Sequence, residues 1–253
     1  MVETSGEHDS LKVSEMFYSI QGEGLTAGMP AAFLRLTACN LTCNAWGITG
    51  CDTTEVWKTG KRMTFDEIKT FYQDEGIYDR LFTPTVPHTL HTPHVNLVVT
   101  GGEPLLQRNQ LAEFLKVTKP VYTEIETNGT IAPEHIANYM QDGKSHYTVS
   151  PKLDTAGDPE EKRFKPEVLE WFSKQPNAYF KFVIAFPWDV DQVIKKYLEP
   201  FNISRCRVFL MPEGTTSADV NTHSIAVVDA CKKHGFRFSP RLHINIWEKT
   251  TGV

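Results

Sequence analysis

Asn96-Leu-Val-Val-Thr-Gly-Gly-Glu-Pro104 joins a short apolar, β-branched run to two glycines, a carboxylate and a proline. Asn96 to Val99 is too short for a core helix and reads as a buried strand, and the residues after it end that strand in a tight loop. On either side, Ala31 to Leu36, Tyr122 to Ile125, Tyr147 to Val149, Tyr179 to Ile184 and Arg207 to Leu210 read as strands of the same kind. Helix-like segments lie between them. Thr64 and Glu67 form a capping-box pattern that opens a helix through about Gln73, with Phe65, Ile68, Phe71 and Tyr72 on one face. Leu111, Phe114, Leu115 and Lys116 belong to a second. Further helices are expected over Glu134 to Met140, Glu167 to Ser173, Val190 to Leu198 and Ser224 to His234, the last closed by Gly235. Strands alternating with helices predict a parallel α/β architecture.

The polar clusters sit just after these strands: Thr37-Ala-Cys-Asn40, Thr100-Gly-Gly-Glu-Pro104, Glu126-Thr-Asn-Gly129, Ser150-Pro-Lys152 and Met211-Pro-Glu-Gly214. In a parallel barrel such loops converge on one rim, where barrel enzymes keep their sites. The 253 residues, 40% of them hydrophobic, suffice for one core and a single domain over 1–253. Segment 76–94 holds Pro84, Pro87 and Pro93 and reads as an inserted loop. Its His88, His91 and His94 could be imagined as a metal site, but with no helix or strand to gather the rings they read as a solvated loop. A net charge of -5 argues against direct nucleic-acid binding. Met1 to Ser10 lack an apolar leader, and no run of about 18 apolar residues could cross a membrane, so a cytoplasmic protein is expected.

Five cysteines are present, and Cys39, Cys43 and Cys51 fall within thirteen residues, in a loop that also carries Asn40, Thr42, Asn44 and Asp52. In a reducing compartment such a cluster points to metal or redox chemistry. Three thiolates can hold three irons of a cubane and leave the fourth to a small chelating molecule. A structural zinc site would want four ligands, and no fourth Cys or His lies within ten residues of the trio. Cys206 and Cys231 sit in apolar-patterned segments and read as buried structural cysteines.

The trio resembles the cluster motif of radical S-adenosylmethionine (SAM) enzymes, and the chain from about residue 13 onward resembles the 7-carboxy-7-deazaguanine synthase family. The matching motifs, in order, are Ser19-Ile-Gln-Gly-Glu-Gly24, Phe33-Leu-Arg-Leu36, Cys39-Asn-Leu-Thr-Cys43, Cys51-Asp-Thr53, Thr100-Gly-Gly-Glu-Pro104, Glu126-Thr-Asn-Gly-Thr130, Ser150-Pro-Lys152 and Arg241-Leu-His243. One departure is the spacing. The common pattern leaves two residues between the last pair of cysteines, whereas seven separate Cys43 from Cys51, and Gly47 and Gly50 would let the longer loop bend back.

The resemblance implies an incomplete (β/α) barrel of the radical SAM type, with a mostly parallel sheet curved around SAM. It implies a 4Fe-4S cluster on Cys39, Cys43 and Cys51, and a magnesium ion at Thr53. SAM would lie along Gly50, Asp52, Gly102, Glu103, Glu126, Asn128, Ser150, Pro151, Lys152, Leu210, Met211, Pro212 and Glu213, with Glu103 suited to accept from the ammonium of SAM. A pterin would meet Ile20, Gln21, Gly22, Glu23, Arg35, Thr100, His243 and Val253. Gln21, Glu23 and Arg35 do carry groups complementary to a pterin's edge and carboxylate. Taken alone, each glycine motif is equally a strand-ending turn, Arg35 a surface or ion-paired residue and His243 a satisfied core histidine.

The reaction implied is radical ring contraction of 6-carboxy-5,6,7,8-tetrahydropterin to 7-carboxy-7-deazaguanine with loss of ammonia, started by an electron from an external flavodoxin- or ferredoxin-type donor. No separate catalytic acid or base is needed to begin it, and a homodimer is implied. Two alternatives stand beside this reading: a radical SAM activase acting on a partner protein, and a nonenzymatic metal-stabilised binding module. Glu248 stands where the family commonly has glycine.

Overall fold

The computed structural model describes residues 9–44, 50–51, 58–83, 94–140, 143–250 and 252–253. Among the described residues nine strands form one open sheet in the order β3-β1-β2-β4-β5-β6-β7-β8-β9. The strands are β1 (Ser10–Ile20), β2 (Pro30–Leu36), β3 (Lys61–Thr64), β4 (Asn96–Gly101), β5 (Thr123–Thr127), β6 (Ser145–Val149), β7 (Ala178–Ile184), β8 (Val208–Pro212) and β9 (Arg237–Phe238). From β2 through β9 every pairing is parallel, and β1 runs antiparallel to both β2 and β3. The loops after β2, β4, β5, β6 and β8 therefore do share one rim.

Side chains alternate across this sheet. Leu34, Leu36, Leu97, Val99, Ile125, Tyr147, Val149, Phe180, Phe182, Val208 and Leu210 enter the principal core, which the helices cover. Each such side chain contributes about 1.5–3 kcal/mol by leaving water. The alternate positions, on the opposite face, include Arg35, Thr100, Glu124, Glu126, His146, Thr148 and Lys181. A β-bulge between Val13 and Glu15 changes the phase of β1, so that Leu11 and Val13 but then Met16 and Tyr18 face the core. The same bulge sets Glu15 opposite Arg35.

Helix α1 (Phe65–Asp74) has the expected capping box: Glu67 N–H donates to Thr64 Oγ1 at 3.2 Å and Thr64 N–H to Glu67 Oε2 at 2.7 Å. Helix α2 (Tyr78–Phe82) corrects the reading of 76–94 as loop throughout: Ile77, Leu81 and Phe82 are buried apolar anchors. The remainder, 84–93, with His88 and His91, lies outside the described residues, and His94 packs its ring 5.8 Å from that of Tyr122. Helices α3 (Arg108–Thr118), α4 (Glu160–Arg163), α5 (Pro166–Ser173) and α6 (Pro187–Gln192) follow. The segment Glu134–Tyr139 is a 3₁₀ helix, and Val193–Leu198 continues α6 as a π-helical turn into α7 (Glu199–Phe201). Helix α8 (Ser217–His234) starts about two turns earlier than the expected Ser224, because Thr216 caps it through Asp219 N–H, and it ends at Gly235 as read. Helix α9 (Leu242–Trp247) carries His243. Cys231 is buried in α8, but Cys206 is exposed beside Ser204, because the 3₁₀ turn Arg205–Arg207 turns it away from β8. Among the described residues no helix is long and apolar enough to cross a membrane.

Candidate active site

The loop after β2 carries the cysteines and is braced from three sides. Ala38 O accepts Glu103 N–H at 2.8 Å, and Leu36 O accepts Gly102 N–H at 3.3 Å. Gly102 tolerates this approach because it lacks a side chain: a Cβ there would lie 2.0 Å from Ala38 O and 2.8 Å from Cys39 Cβ. From the turn after β5, Asn128 Nδ2 donates to Asn40 Oδ1 at 2.9 Å, while Asn40 Nδ2 donates to Thr130 Oγ1 at 2.8 Å. From the segment after β6, Asp158 accepts Thr42 N–H and Oγ1–H at 2.9 Å each and Cys43 N–H at 2.7 Å.

Held this way, Cys39, Cys43 and Cys51 meet Leu41 and Ala156 in one small cluster separate from the principal core. Burial pushes the Cys43 thiol up to about 12 and raises that of Cys39, with Lys152 acting against both. Among the described residues no three Cys, His, Asp or Glu side chains converge closely enough to hold a single metal ion. Three sulfur donors from one loop suit a cubane, whose protein ligands bind different irons at separate corners. The donor set, three sulfurs in an apolar cup, is likewise that of an iron–sulfur cluster.

Glu103 and Asn128, expected against SAM, bond within the protein. Glu103 is wholly buried, and its oxygens accept from Leu105 N–H (2.9 Å), Thr127 Oγ1–H (2.9 Å) and Asn128 N–H (2.7 Å). It ties the β4 loop to the β5 turn. Asn128 is 5% exposed, and its side chain joins Asn40 and Thr130. Leu210 points into the principal core, so its side chain is also withdrawn from the rim. Ser150, Pro151 and Lys152 follow β6 on the rim, with Lys152 Nζ donating to Ser150 O at 2.9 Å. Met211 and Pro212 end β8 on that rim, and Glu213 O, just beyond, accepts from His223 Nδ1 at 2.7 Å. Gly50 adopts φ +73° and packs within 3.2 Å of Asn44 Cα, measured from the position a Cβ would take. Asp52 and Thr53 lie outside the described residues.

Below the rim, the sheet's inner face is polar. Thr100 Oγ1 donates to Glu126 Oε2 at 2.6 Å, and Gln21 Nε2 to Glu126 Oε1 at 3.3 Å. This gathers Glu126 with residues expected to meet substrate. Lys181, 7% exposed, contacts Glu23 directly and stands 3.9 Å from Glu126. Glu23 also pairs with Arg241 at 3.1 Å and faces His243 Nε2 at 3.7 Å. Burial alone would raise Glu23, yet the charges of Lys181, Arg241 and His243 hold it well below the usual carboxylate range. Burial likewise opposes the Lys181 charge, but Glu23 and Glu126 outweigh it and push that ammonium upward; Glu126 itself is raised by burial. Arg35 Nε is 3.1 Å from Glu15 Oε2, with the guanidinium over the Phe17 ring. The ring of His243 occupies the space beside Gly22, 2.2 Å from where a Cβ would stand.

Ile20 and Val253 are together but elsewhere. With Tyr18, Ser19, Pro30 and Trp247 they line a groove of about 370 Å³ at the start of β2, the opposite end of that strand from the cysteines. Glu248 adopts φ +56°, ψ -128°, a backbone conformation suited to glycine, and its Oε2 accepts Ser217 N–H at 2.9 Å at the start of α8. Lys181 and Asp158 were not singled out from sequence. A lone lysine between Phe180 and Phe182 in a buried strand was a usable signal; for Asp158, over a hundred residues from the cysteines it serves, there was none.

An open, mostly parallel sheet with three cysteines on its carboxyl-terminal rim and a polar inner face is the architecture of the radical SAM enzymes. The chain superposes on QueE from Escherichia coli with a TM-score of 0.64 and 20% identity, over 93% of this chain and 98% of that one, which shows a common fold. No family model matches it. In sequence it is 34% identical over 246 residues to the 7-carboxy-7-deazaguanine synthase of Pyrobaculum aerophilum, covering 96% of this chain and 97% of the relative. To that of Halobacterium salinarum it is 32% identical over 258 residues, covering 96% and 92%. The chain belongs to the 7-carboxy-7-deazaguanine synthase family.

Proposed function

We propose that the protein converts 6-carboxy-5,6,7,8-tetrahydropterin to 7-carboxy-7-deazaguanine, contracting the ring with loss of ammonia. The observation that supports this reading is a three-cysteine cup in a rim loop of a sheet whose inner face is charged, with Gln21, Glu23, Arg35, Thr100, Glu126 and Lys181 along it. Cys39, Cys43 and Cys51 would hold a 4Fe-4S cluster, which when bound supplies the electron that cleaves SAM. Gly102, Ser150, Lys152 and Met211 would border SAM, with Gly102 giving its backbone the closest approach. Thr53 would contribute to a magnesium site that also needs substrate oxygens.

The chain's own residues then orient the substrate. The terminal nitrogens of Arg35, with Nε already anchored on Glu15, suit the pterin carboxylate. Glu126, braced by Thr100 and Gln21, suits the N–H edge of the ring and belongs with the substrate residues, not with SAM. An inner face this charged favours a polar heterocycle over a protein segment. The electron would come from a flavodoxin- or ferredoxin-type donor, and the working unit would be a homodimer. The test is an anaerobic assay of reconstituted protein with SAM, a reductant, magnesium and the carboxytetrahydropterin. A deazapurine product that depends on every component is expected; SAM cleavage indifferent to the pterin would refute the substrate assignment.

A further inference from the structure

Residues 21–29, between β1 and β2, carry Gln21, Gly22 and Glu23 in irregular backbone. The segment is stitched internally by Gln21 N–H to Met29 O (2.8 Å), Gly28 N–H to Gln21 O (2.7 Å) and Met29 N–H to Thr26 O (2.9 Å). Side chains link it to the sheet at Glu126, Lys181 and Glu124. Glu126 and Lys181 belong to the polar face that would receive substrate, so their bonds to the segment must adjust when a ligand enters. The bond from Thr26 Oγ1 to Glu124 Oε2, at 2.7 Å, lies one turn of the alternation deeper on β5 and is under no such demand.

Glu124 is built to be a fixed point. It is wholly buried; Oε1 accepts Thr148 Oγ1–H at 2.8 Å and stands 3.4 Å from His146 Nε2. His146 is in turn held by the Tyr122 hydroxyl on Nδ1 at 3.0 Å and by the Tyr179 ring, edge-on at 5.9 Å. Lys181 on β7 and Glu126 on β5 are further charges that act on Glu124. A buried carboxylate with this many partners is rigid, because each lost bond would leave a charge unsatisfied in a region that excludes water.

We propose that Glu124, oriented by His146, is a positioning residue that fixes the substrate-contacting segment 21–24 through the Thr26 hydroxyl. The proposal rests on the substrate reading above. Segment 21–24 supplies its contacts from loop backbone, where a displacement near 1 Å is enough to impair a reaction geometry. An anchor that the substrate does not touch keeps the segment in place in both the empty and filled states.

Thr26→Val removes the hydroxyl at constant shape, and Thr26→Ser keeps it. Two measurements are made on the reconstituted enzyme: hydrogen–deuterium exchange over residues 21–29, and the KM for the carboxytetrahydropterin alongside kcat and pterin-independent SAM cleavage. Thr26→Val should raise exchange in 21–29 and raise KM roughly tenfold, leaving iron content and SAM cleavage unchanged, with Thr26→Ser matching wild type in both. The proposal is overturned if Thr26→Val exchanges like wild type, if Thr26→Ser is as impaired as Thr26→Val, or if exchange rises without a change in KM. A parallel fall in iron content and SAM cleavage would also overturn it, marking a general structural role. Wild-type enzyme that turns over no pterin would refute the proposed function, and the exchange comparison would still decide the anchor.

Discussion

Gly102→Ala tests how the cysteine loop is held. The added Cβ would lie 2.0 Å from Ala38 O, 2.5 Å from Ala38 C and 2.8 Å from Cys39 Cβ. Two of these atoms are backbone, so no rotamer change relieves the contact, and the loop must retreat by about 1 Å or more. The retreat breaks the bonds from Glu103 N–H and Gly102 N–H to Ala38 O and Leu36 O. Overpacking costs about 1–3 kcal/mol and each bond about 0.5–1.5 kcal/mol, which together give about 2–6 kcal/mol. The displacement falls on the cysteine side, because Glu103 is locked to Thr127 and Asn128 whereas Ala38 already sits at φ 69°. Iron and sulfide bound after anaerobic reconstitution should therefore drop severely, with a lowered Tm. Gly76→Ala is the control: at φ +67° with no atom within 4 Å, it pays only a backbone penalty of about 1 kcal/mol and should load iron normally. Full iron loading and wild-type Tm in Gly102→Ala would refute the reasoning.

Cys51→Ala should abolish SAM cleavage, whereas Cys231→Ala, buried in α8 far along the chain, should leave it nearly intact; equal loss in both would overturn the ligand assignment. Gly22→Ala should drive the His243 imidazole from its place, since the new Cβ would meet Nδ1 at 2.2 Å. Steady-state kinetics should show a KM for the pterin raised several-fold with iron content unchanged, and an unaltered KM would remove His243 from the substrate side. Burial raises the Glu124 pKa, but the His146 charge and the Thr26 and Thr148 hydroxyls outweigh it, lowering it from 4.5 to about 2. A depressed carboxylate stabilises the fold above its unfolded pKa and ceases to do so as pH falls through the folded value. The Tm advantage of wild type over Glu124→Gln should thus be full above about pH 4.5 and vanish toward about pH 2; an advantage independent of pH would contradict the pairing.

Strands β2 and β4 to β8 were legible because each holds a short β-branched or aromatic run soon followed by Gly, Pro or Asn, and their order placed the rim loops correctly. Strand β1 was not, because the bulge at Ser14 flips its alternation midway and leaves neither half long enough to register. Strands β3 and β9, of four and two residues, carry too little pattern to be read. The cysteines, Arg35 and Thr100 were visible as motifs. Glu103 and Asn128 were visible too, but a motif does not reveal that both are turned inward to brace the loops that bind. The Glu124–His146 pair was illegible for a different reason: a carboxylate and an imidazole on neighbouring strands become partners only when register sets Glu124 beside His146.

The most direct test of the central claim is electron paramagnetic resonance of the anaerobically reconstituted, reduced protein, recorded with and without SAM. Three protein thiolates and one iron left to the ligand predict a 4Fe-4S signal whose shape changes when SAM is added, and which is lost in Cys51→Ala. A cluster signal that SAM leaves untouched would mean that the polypeptide already occupies every iron, and the proposed chemistry would have no place to begin.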